Sequence, residues 1–128
     1  CDRRQRQMCK ETGGLRSLTS DHSDYHGIYC GSLPKRDAAY HQGTAWGFLL
    51  GGFLSAYAKV HDHSPECTKE LLSLLEPVRH HLTDNGCIGS ISEIFDGDAP
   101  HNPRGCYAQA WSVGETLRAY MQDVLPYM

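Results

Sequence analysis

The sequence predicts an all-α fold in which a few helices carry two long loops. Three segments show apolar residues at helical spacing, and no segment alternates apolar and polar residues as a half-buried strand does. The chain has 128 residues, of which 40% are hydrophobic and 21% are charged, and this is typical of a globular protein. Length and pattern together favour one helical domain over residues 1–128.

The first 40 residues contain little regular structure. Asp2–Lys10 is polar and compatible with the end of a helix, which Gly13 and Gly14 would break. Leu15–Tyr40 is rich in turn-forming residues and shows no sustained period. Because long loops inside a compact domain are uncommon and often functional, we expect this loop to contribute to a site.

The first strong helical pattern follows Thr44. Its apolar face carries large side chains, and its opposite face carries small ones up to Lys59. A helix that is apolar or small all round is buried on both sides, and small residues let a neighbouring helix approach closely. We therefore expect this helix to need neighbours beyond those that the chain supplies. The large residues are Trp46, Leu49, Leu50, Phe53 and Tyr57, and the small ones are Gly47, Gly51, Ser55 and Ala58.

Two further helices complete the predicted core. Pro65–Thr83 is amphipathic and should cover the first helix from outside, with Ser64 as its N-cap and Pro77 as a point where it kinks or shifts register. Tyr107–Leu125 is the third helix. Its core-facing residues are predicted to be Trp111, Leu117, Tyr120, Met121 and Val124.

Composition excludes several classes of function. A net charge of −3 without a basic stripe argues against nucleic acid as a partner, and the apolar stretch 38–58 contains too many polar and small residues to span a membrane. Six cysteines form no C-x-x-C pair, which favours reduced thiols. The histidine pairs His61/His63 and His80/His81 lack metal-ligand spacing, so we expect neither a metal nor a cofactor. A start at Cys1 indicates a fragment.

The loop between the second and third helices, Asp84–Cys106, has the densest group of reactive side chains. They are Glu93, Asp96, Asp98, His101 and Arg104. Three stretches combine such polar groups with aromatic rings, a composition that suits sugars, because rings cover a pyranose face while polar groups bind its hydroxyls. The alternative is that the tryptophans belong to the core. The stretches are Tyr40–Trp46 (YHQGTAW), Ser90–Asp98 (SEIFDGD at its end) and Pro103–Val113 (PRGCYAQAWSV).

These stretches, with Gly14–Leu18 (GLRSL) before them, resemble in order and spacing the C-terminal amylo-α-1,6-glucosidase domain of glycogen debranching enzymes, glycoside hydrolase family 133. The resemblance covers most of the chain. It implies the C-terminal portion of an (α/α)6 six-hairpin barrel, with the first two helices as an inner and an outer helix. It also implies cytoplasmic glycogen breakdown, with glycogen or another branched α-glucan as the substrate and the remainder of the barrel as a partner.

The resemblance also assigns roles to residues. It implies inverting hydrolysis of an α-1,6-linked glucose, with Glu93 as the general base, which should be ionised and supported by neighbouring donors. The first loop supplies Tyr40, His41, Gln42 and Trp46 to the glucose-binding wall, and the last loop supplies Gln109 and Trp111. Asp96 and Arg104 either bind substrate or pair to hold the loop around Glu93.

One part of the site is absent from the sequence. The family's general acid is an aspartate from an earlier part of the barrel, and we expect it to lie outside this chain. Gly47 also departs from the family, in which a proline follows the tryptophan. Two alternatives therefore stay open: a non-catalytic carbohydrate-binding fragment, and a related barrel hydrolase that acts on another α-glucoside.

Overall fold

The computed structural model describes residues 13–128, so the predicted helix end at Asp2–Lys10 lies outside the described residues. Within them the chain forms four α-helices and a small four-stranded sheet, and the mainly helical prediction is confirmed. The barrel portion stays a prediction. The elements are β1 (Leu15–Arg16), α1 (Leu33–Tyr40), β2 (Ala45–Trp46), α2 (Gly47–Val60), α3 (Pro65–Asp84), β3 (Ile94–Phe95), β4 (Pro103–Arg104) and α4 (Ala110–Ala119).

Helix α2 is the centre of the fold, and the chain itself supplies neighbours for both of its faces. Its large residues, such as Leu50 and Leu54, are fully buried in a core that includes Leu71 and Leu74 of α3. Its small face packs on α4, where a Cβ on Gly51 would collide with the carbonyl oxygen of Glu115. The predicted close approach of a helix is confirmed. The expectation that α2 also needs protein from outside the chain stays a prediction, since α3 and α4 flank two of its faces and Gly52 and Ala56 are exposed.

Helix α3 follows the prediction closely. The Ser64 hydroxyl accepts a hydrogen bond from the Cys67 N–H (3.2 Å), which satisfies one free donor of the first turn, and Pro65 follows the cap. The helix continues through Pro77 to Asp84 without interruption. The cap and the amphipathic pattern thus placed this element correctly.

The prediction for the third helix was wrong in two respects. The α-helix spans only Ala110–Ala119 and continues as a π-helical turn (Tyr120–Val124) and a 3₁₀ turn (Leu125–Tyr127). Trp111, Leu117 and Met121 are about half exposed instead of buried. The reason is that α4 turns its small and polar residues towards the glycines of α2, since only these allow the close approach. Those residues are Ser112, Thr116 and Ala119.

The sheet was not predicted. Its four strands have two residues each and pair antiparallel in the order β1-β2-β3-β4. Ala45 pairs with both Arg16 and Phe95, and Ile94 pairs with both Trp46 and Arg104. A two-residue strand is too short to show alternation, which explains why the pattern missed it. Helix α1, inside the loop predicted for Leu15–Tyr40, was missed for a similar reason, because it has only eight residues.

Two further observations concern the whole described part. None of its helices has the length and apolar content that crossing a bilayer requires. Its four cysteines, Cys30, Cys67, Cys87 and Cys106, are free thiols, and Cys30 and Cys106 are exposed.

Candidate active site around Glu93

The sheet brings together the four sequence stretches that carry the resemblance. Each contributes one strand, and Glu93 lies immediately before β3. Its backbone is held on two sides: the Glu93 N–H donates to the Cys106 carbonyl (2.8 Å), and the Glu93 carbonyl accepts from the Gly47 N–H (3.2 Å). A proline at position 47 would lack that N–H. The glycine that stands here, where the family has a proline, therefore allows this hydrogen bond to Glu93.

The Glu93 carboxylate has a donor on each oxygen. Tyr40 donates its hydroxyl to Oε1 (2.5 Å), and the Cys106 N–H donates to Oε2 (3.0 Å). Gly105, with φ +67°, passes so close to Glu93 that a Cβ there would collide with Oε2. Glu93 is half-buried. Because an ionised carboxylate has about four acceptor positions, the two remaining ones can receive a water or a substrate hydroxyl.

Tyr40 is packed as well as hydrogen-bonded. Its ring contacts those of Tyr29 (centroids 5.7 Å apart), Trp46 (4.7 Å) and His41 (4.8 Å). Burial, followed by the hydrogen bond to Glu93, raises the pKa of Tyr40 to about 12. Tyr40 therefore keeps its proton near neutral pH and acts as a donor to Glu93.

His81 and Ser92 stabilise the backbone next to Glu93. The Nε2 atom of His81, near the end of α3, accepts the Ser92 N–H (3.1 Å) and lies 3.1 Å from the Ser92 hydroxyl. His81 is buried, and burial lowers its pKa. Since Nε2 must be unprotonated to accept from a backbone N–H, the neutral histidine positions the residue next to Glu93.

Asp96 and Arg104 form an ion pair across the same loop. Arg104 donates through Nε (3.0 Å) and through an Nη group (2.9 Å) to Oδ2 of Asp96, whose other oxygen accepts the Tyr29 N–H (2.8 Å). Asp96 is fully buried, whereas about one-third of the Arg104 side chain is exposed. The hydrogen bond to Asp96 raises the pKa of Arg104. Of the two predicted roles, burial favours loop support for Asp96, while Arg104 lines an open cavity.

The aromatic residues predicted to form the glucose-binding wall contact one another in a cluster, and their binding of glucose stays a prediction. Trp46 is 95% buried and lies at its centre, with the exposed His41 ring stacked on it (centroids 5.1 Å, planes 6° apart). Phe48 and Trp111 continue the cluster as a second stacked pair (4.7 Å), and Trp111 is 48% exposed. The rings that a sugar can reach are therefore His41 and Trp111, and Trp46 supports them.

The two glutamines predicted to bind glucose are Gln42 and Gln109, and the structure gives them contacts with the backbone. Gln42 is exposed, and its carbonyl accepts the His26 N–H (2.6 Å). Gln109 is the N-cap of α4, where its side-chain oxygen accepts the Ala110 N–H (3.2 Å). Their predicted contact with substrate stays a prediction.

The other carboxylates of the loops have separate surroundings. Asp98 accepts a hydrogen bond from the Tyr25 hydroxyl (2.8 Å), and burial together with this bond raises the pKa of Tyr25 to about 12. Asp37 is exposed on α1. A general acid from outside this chain stays a prediction. Residues 13–128 contain no group of three or more His, Cys, Asp or Glu side chains able to hold a metal ion.

Sequence reasoning missed several residues of this site. Tyr29 and Arg36 lie in the segment without a period, and Phe48 was not distinguished from core residues. The sequence predicts no role at this site for His81, and it does not distinguish Ser92 from the other residues of the stretch Ser90–Asp98. No local signal marks these residues, because their role depends on contacts between distant segments.

Comparison with known proteins supplies independent information. A protein-family model described as amylo-alpha-1,6-glucosidase matches residues 4–118, which is most of the chain. No solved structure matches the chain.

Proposed function

Because this chain belongs to the amylo-alpha-1,6-glucosidase family, a family of glycogen-debranching glycosidases, we propose that it carries the general-base half of a site that hydrolyses α-1,6-linked glucose with inversion. The observation that supports this best is the Glu93 carboxylate, held by one donor on each oxygen beside an exposed aromatic cluster. The substrate is glycogen or a related branched α-glucan.

Glu93 acts as the base. An inverting glycosidase needs a carboxylate that takes a proton from water while the water attacks the anomeric carbon from the face opposite the leaving group. The donors Tyr40 and Cys106 N–H orient the Glu93 carboxylate and stabilise its charge, and acceptor positions remain for the water. His81 and the Asp96–Arg104 pair hold the loop that positions it.

The general acid and the rest of the barrel come from protein outside this chain. The acid has to protonate the leaving oxygen roughly 6.5–9.5 Å from the base carboxylate, a separation that leaves room for the water. The working protein is cytoplasmic, which fits the exposed free thiols Cys30 and Cys106, because such thiols persist in a reducing compartment.

The sharpest test uses a substrate that needs no acid. In α-glucosyl fluoride the C1–F bond breaks to release fluoride without protonation, while water attacks C1 from the opposite face and gives its proton to Glu93. The chain should release β-glucose as its first product, which proton NMR detects. Glu93→Gln should reduce the rate about 10²- to 10⁴-fold, the usual contribution of a general base.

Controls separate chemistry from folding. Glu66→Gln makes the same change on an exposed carboxylate in the first turn of α3 and should leave the rate unaltered. Tyr40→Phe removes one donor from Glu93 and should reduce the rate less than Glu93→Gln does. Equal rates for the wild type and Glu93→Gln, or α-glucose as the first product, would show that Glu93 is not an inverting base.

A non-catalytic carbohydrate-binding role is the second candidate. The exposed rings of His41 and Trp111 favour it, because they bind a sugar face without any acid. Binding of a branched limit dextrin with no turnover of either substrate would establish this role. Where turnover occurs, comparison of α-1,4-, α-1,1- and α-1,6-linked disaccharides, with the acid-bearing part of the barrel present, decides the linkage.

A further inference from the structure

The backbone carbonyl of Tyr40 accepts two hydrogen bonds from side chains. The Thr44 hydroxyl donates to it (2.7 Å), and so does the indole N–H of Trp46 (3.0 Å). A carbonyl oxygen has two lone pairs, so both of its acceptor positions are used. Thr44 is fully buried and Trp46 is 95% buried. Because hydrogen bonds shielded from water are stronger than exposed ones, the Tyr40 backbone is held firmly at this point.

The end of helix α1 makes this carbonyl dependent on particular side chains. Tyr40 is the last residue of α1, where carbonyl groups lack partners within the helix. The carbonyl before it, that of Ala39, accepts the backbone N–H groups of Gln42 (3.2 Å) and Thr44 (3.3 Å). Backbone donors are available from almost any residue. The Tyr40 carbonyl instead depends on which side chains stand at positions 44 and 46.

Trp46 also holds the side chain of Tyr40. The two rings meet edge to face, with centroids 4.7 Å apart and planes at 63°. The indole N–H thus fixes the backbone of Tyr40 while the indole ring fixes its phenol ring. A tyrosine held at both points keeps its hydroxyl in one place, which here is 2.5 Å from Oε1 of Glu93.

The strand that carries these donors also fixes the base. Trp46 of β2 pairs with Ile94 of β3, and the next residue, Gly47, donates its N–H to the Glu93 carbonyl (3.2 Å). Residues 44–47 therefore contact Tyr40 on one side and the Glu93 backbone on the other. One short piece of backbone sets the distance between the Tyr40 hydroxyl and the Glu93 carboxylate, although these residues are 53 positions apart.

We propose that Thr44 and Trp46 are positioning residues that act through Tyr40 and hold its hydroxyl on the Glu93 carboxylate. This inference rests on the proposed function and goes beyond it, because it gives Trp46 a task that needs no contact with substrate. With Oε1 held by Tyr40, the carboxylate is oriented for the water that it has to deprotonate. Small errors in such an orientation are costly to the rate.

The kinetic test measures fluoride release from α-glucosyl fluoride in two conservative variants. Thr44→Val keeps the shape of the side chain but removes the hydroxyl, and Trp46→Phe keeps an aromatic ring but removes the indole N–H. Each should lower kcat about 2- to 10-fold, the effect of losing one hydrogen bond, with KM little changed. In a Tyr40→Phe background the same substitutions should lower kcat no further, because the hydroxyl that they position is absent.

A second measurement follows Tyr40 directly and needs no turnover. In protein labelled with ¹³Cζ-tyrosine, the Tyr40 resonance is assigned by its loss in Tyr40→Phe, and its position reports on the hydrogen bond of the hydroxyl. Glu93→Gln replaces the charged acceptor by a neutral one and weakens this bond. Thr44→Val and Trp46→Phe should shift the Tyr40 resonance in the same direction as Glu93→Gln does.

Thr68→Val is the matched control. The Thr68 hydroxyl is also buried and also donates to the carbonyl four residues before it, that of Ser64 (3.3 Å), but it lies in α3. Its replacement should change neither kcat nor the Tyr40 resonance. Circular dichroism establishes that each variant is folded, and Thr44→Val keeps the test decisive if Trp46→Phe does not fold.

The outcomes separate this inference from the proposed function. An unmoved Tyr40 resonance in the folded variants would overturn it, and so would equal decreases of kcat with and without the Tyr40 hydroxyl. A raised KM with unchanged kcat in Trp46→Phe would also overturn it, because that result indicates contact with substrate. A shifted Tyr40 resonance, together with equal rates for the wild type and Glu93→Gln, would reject Glu93 as the base and retain the positioning of Tyr40.

Discussion

The helical layer and the sheet region of this molecule are stabilised by different forces. Helices α2 and α3 bury large apolar side chains such as Leu54 and Leu74, and α2 meets α4 through small residues. Around the sheet, short backbone pairings, the Asp96–Arg104 ion pair and the His81–Ser92 contact hold the candidate base. Apolar burial is non-directional, whereas these polar contacts depend on geometry.

This difference has a consequence for substitutions. A change in the helical layer should lower the stability of the whole domain and leave the geometry at Glu93 intact in molecules that remain folded. A change in the sheet region should disturb Glu93 at a smaller cost in overall stability. Three predictions test this separation.

The largest effect is expected for Leu54→Ala. Leu54 is fully buried in the core, so the substitution leaves a cavity and should lower the free energy of unfolding by about 3 kcal/mol. Urea denaturation followed by circular dichroism measures it. Val60→Ala, at a position that is 75% exposed on the same helix, should change stability by less than about 0.5 kcal/mol. Similar costs for the two variants would contradict the assignment of this core.

A smaller effect is expected for Arg104→Met. This change leaves the buried Asp96 carboxylate without its cation and should lower the free energy of unfolding by about 2 kcal/mol. The decrease is smaller than for breaking a fully buried pair, because Arg104 is partly exposed. The rate of fluoride release from α-glucosyl fluoride should also fall in Arg104→Met molecules that remain folded. In Leu54→Ala molecules that remain folded, this rate should be unchanged.

A double variant sharpens that result. Asp96→Asn together with Arg104→Met removes both charges and should recover part of the lost stability. A double variant that is less stable than Arg104→Met by the full cost of Asp96→Asn alone would show that the two side chains do not interact.

The smallest effect concerns pH. Burial lowers the pKa of His81 below its value in the unfolded chain, about 6.5, so the unfolded state binds a proton more readily. The contribution of the neutral, buried His81 to stability is fully present above pH 6.5, and it is lost as the pH falls through the lower pKa of His81 in the folded state. The loss cannot exceed about 1.4 kcal/mol per pH unit for one proton.

Thermal unfolding of His81→Gln isolates this contribution. A glutamine oxygen can accept the Ser92 N–H but does not titrate, so the decrease in stability between pH 7 and pH 5 should be shallower than in the wild type. Parallel slopes for the wild type and His81→Gln would reject the role assigned to His81.

The parts of the fold that were predictable have strong local signals. Ser64, Pro65 and the leucines of α3 placed that helix within one residue of its observed end, and the glycines of α2 predicted its close neighbour. The face of α4 was not predictable in the same way. Trp111 looks like a core residue by periodicity, but the direction in which α4 turns depends on the small surface of α2.

The residues of the candidate site also fall into predictable and unpredictable ones, according to whether a local motif contains them. Glu93, Tyr40 and Trp46 were found because they lie in long motifs that resemble a known family. Arg36 and Tyr29 were missed, since their neighbours carry no period and their contacts lie far along the chain. Glu93 and Tyr40 are 53 residues apart, and nothing local predicts that they share a hydrogen bond.

The sequence by itself determined the family, the helical layer and the identity of the candidate base, because each of these depends on a motif or a period within one segment. Only the tertiary structure decided how the four motif stretches meet. They meet in strands of two residues each, whose backbone hydrogen bonds join residues as distant as Arg16 and Arg104 in one sheet. A backbone hydrogen bond has almost no side-chain signature, so this assembly appears only when the chain is folded.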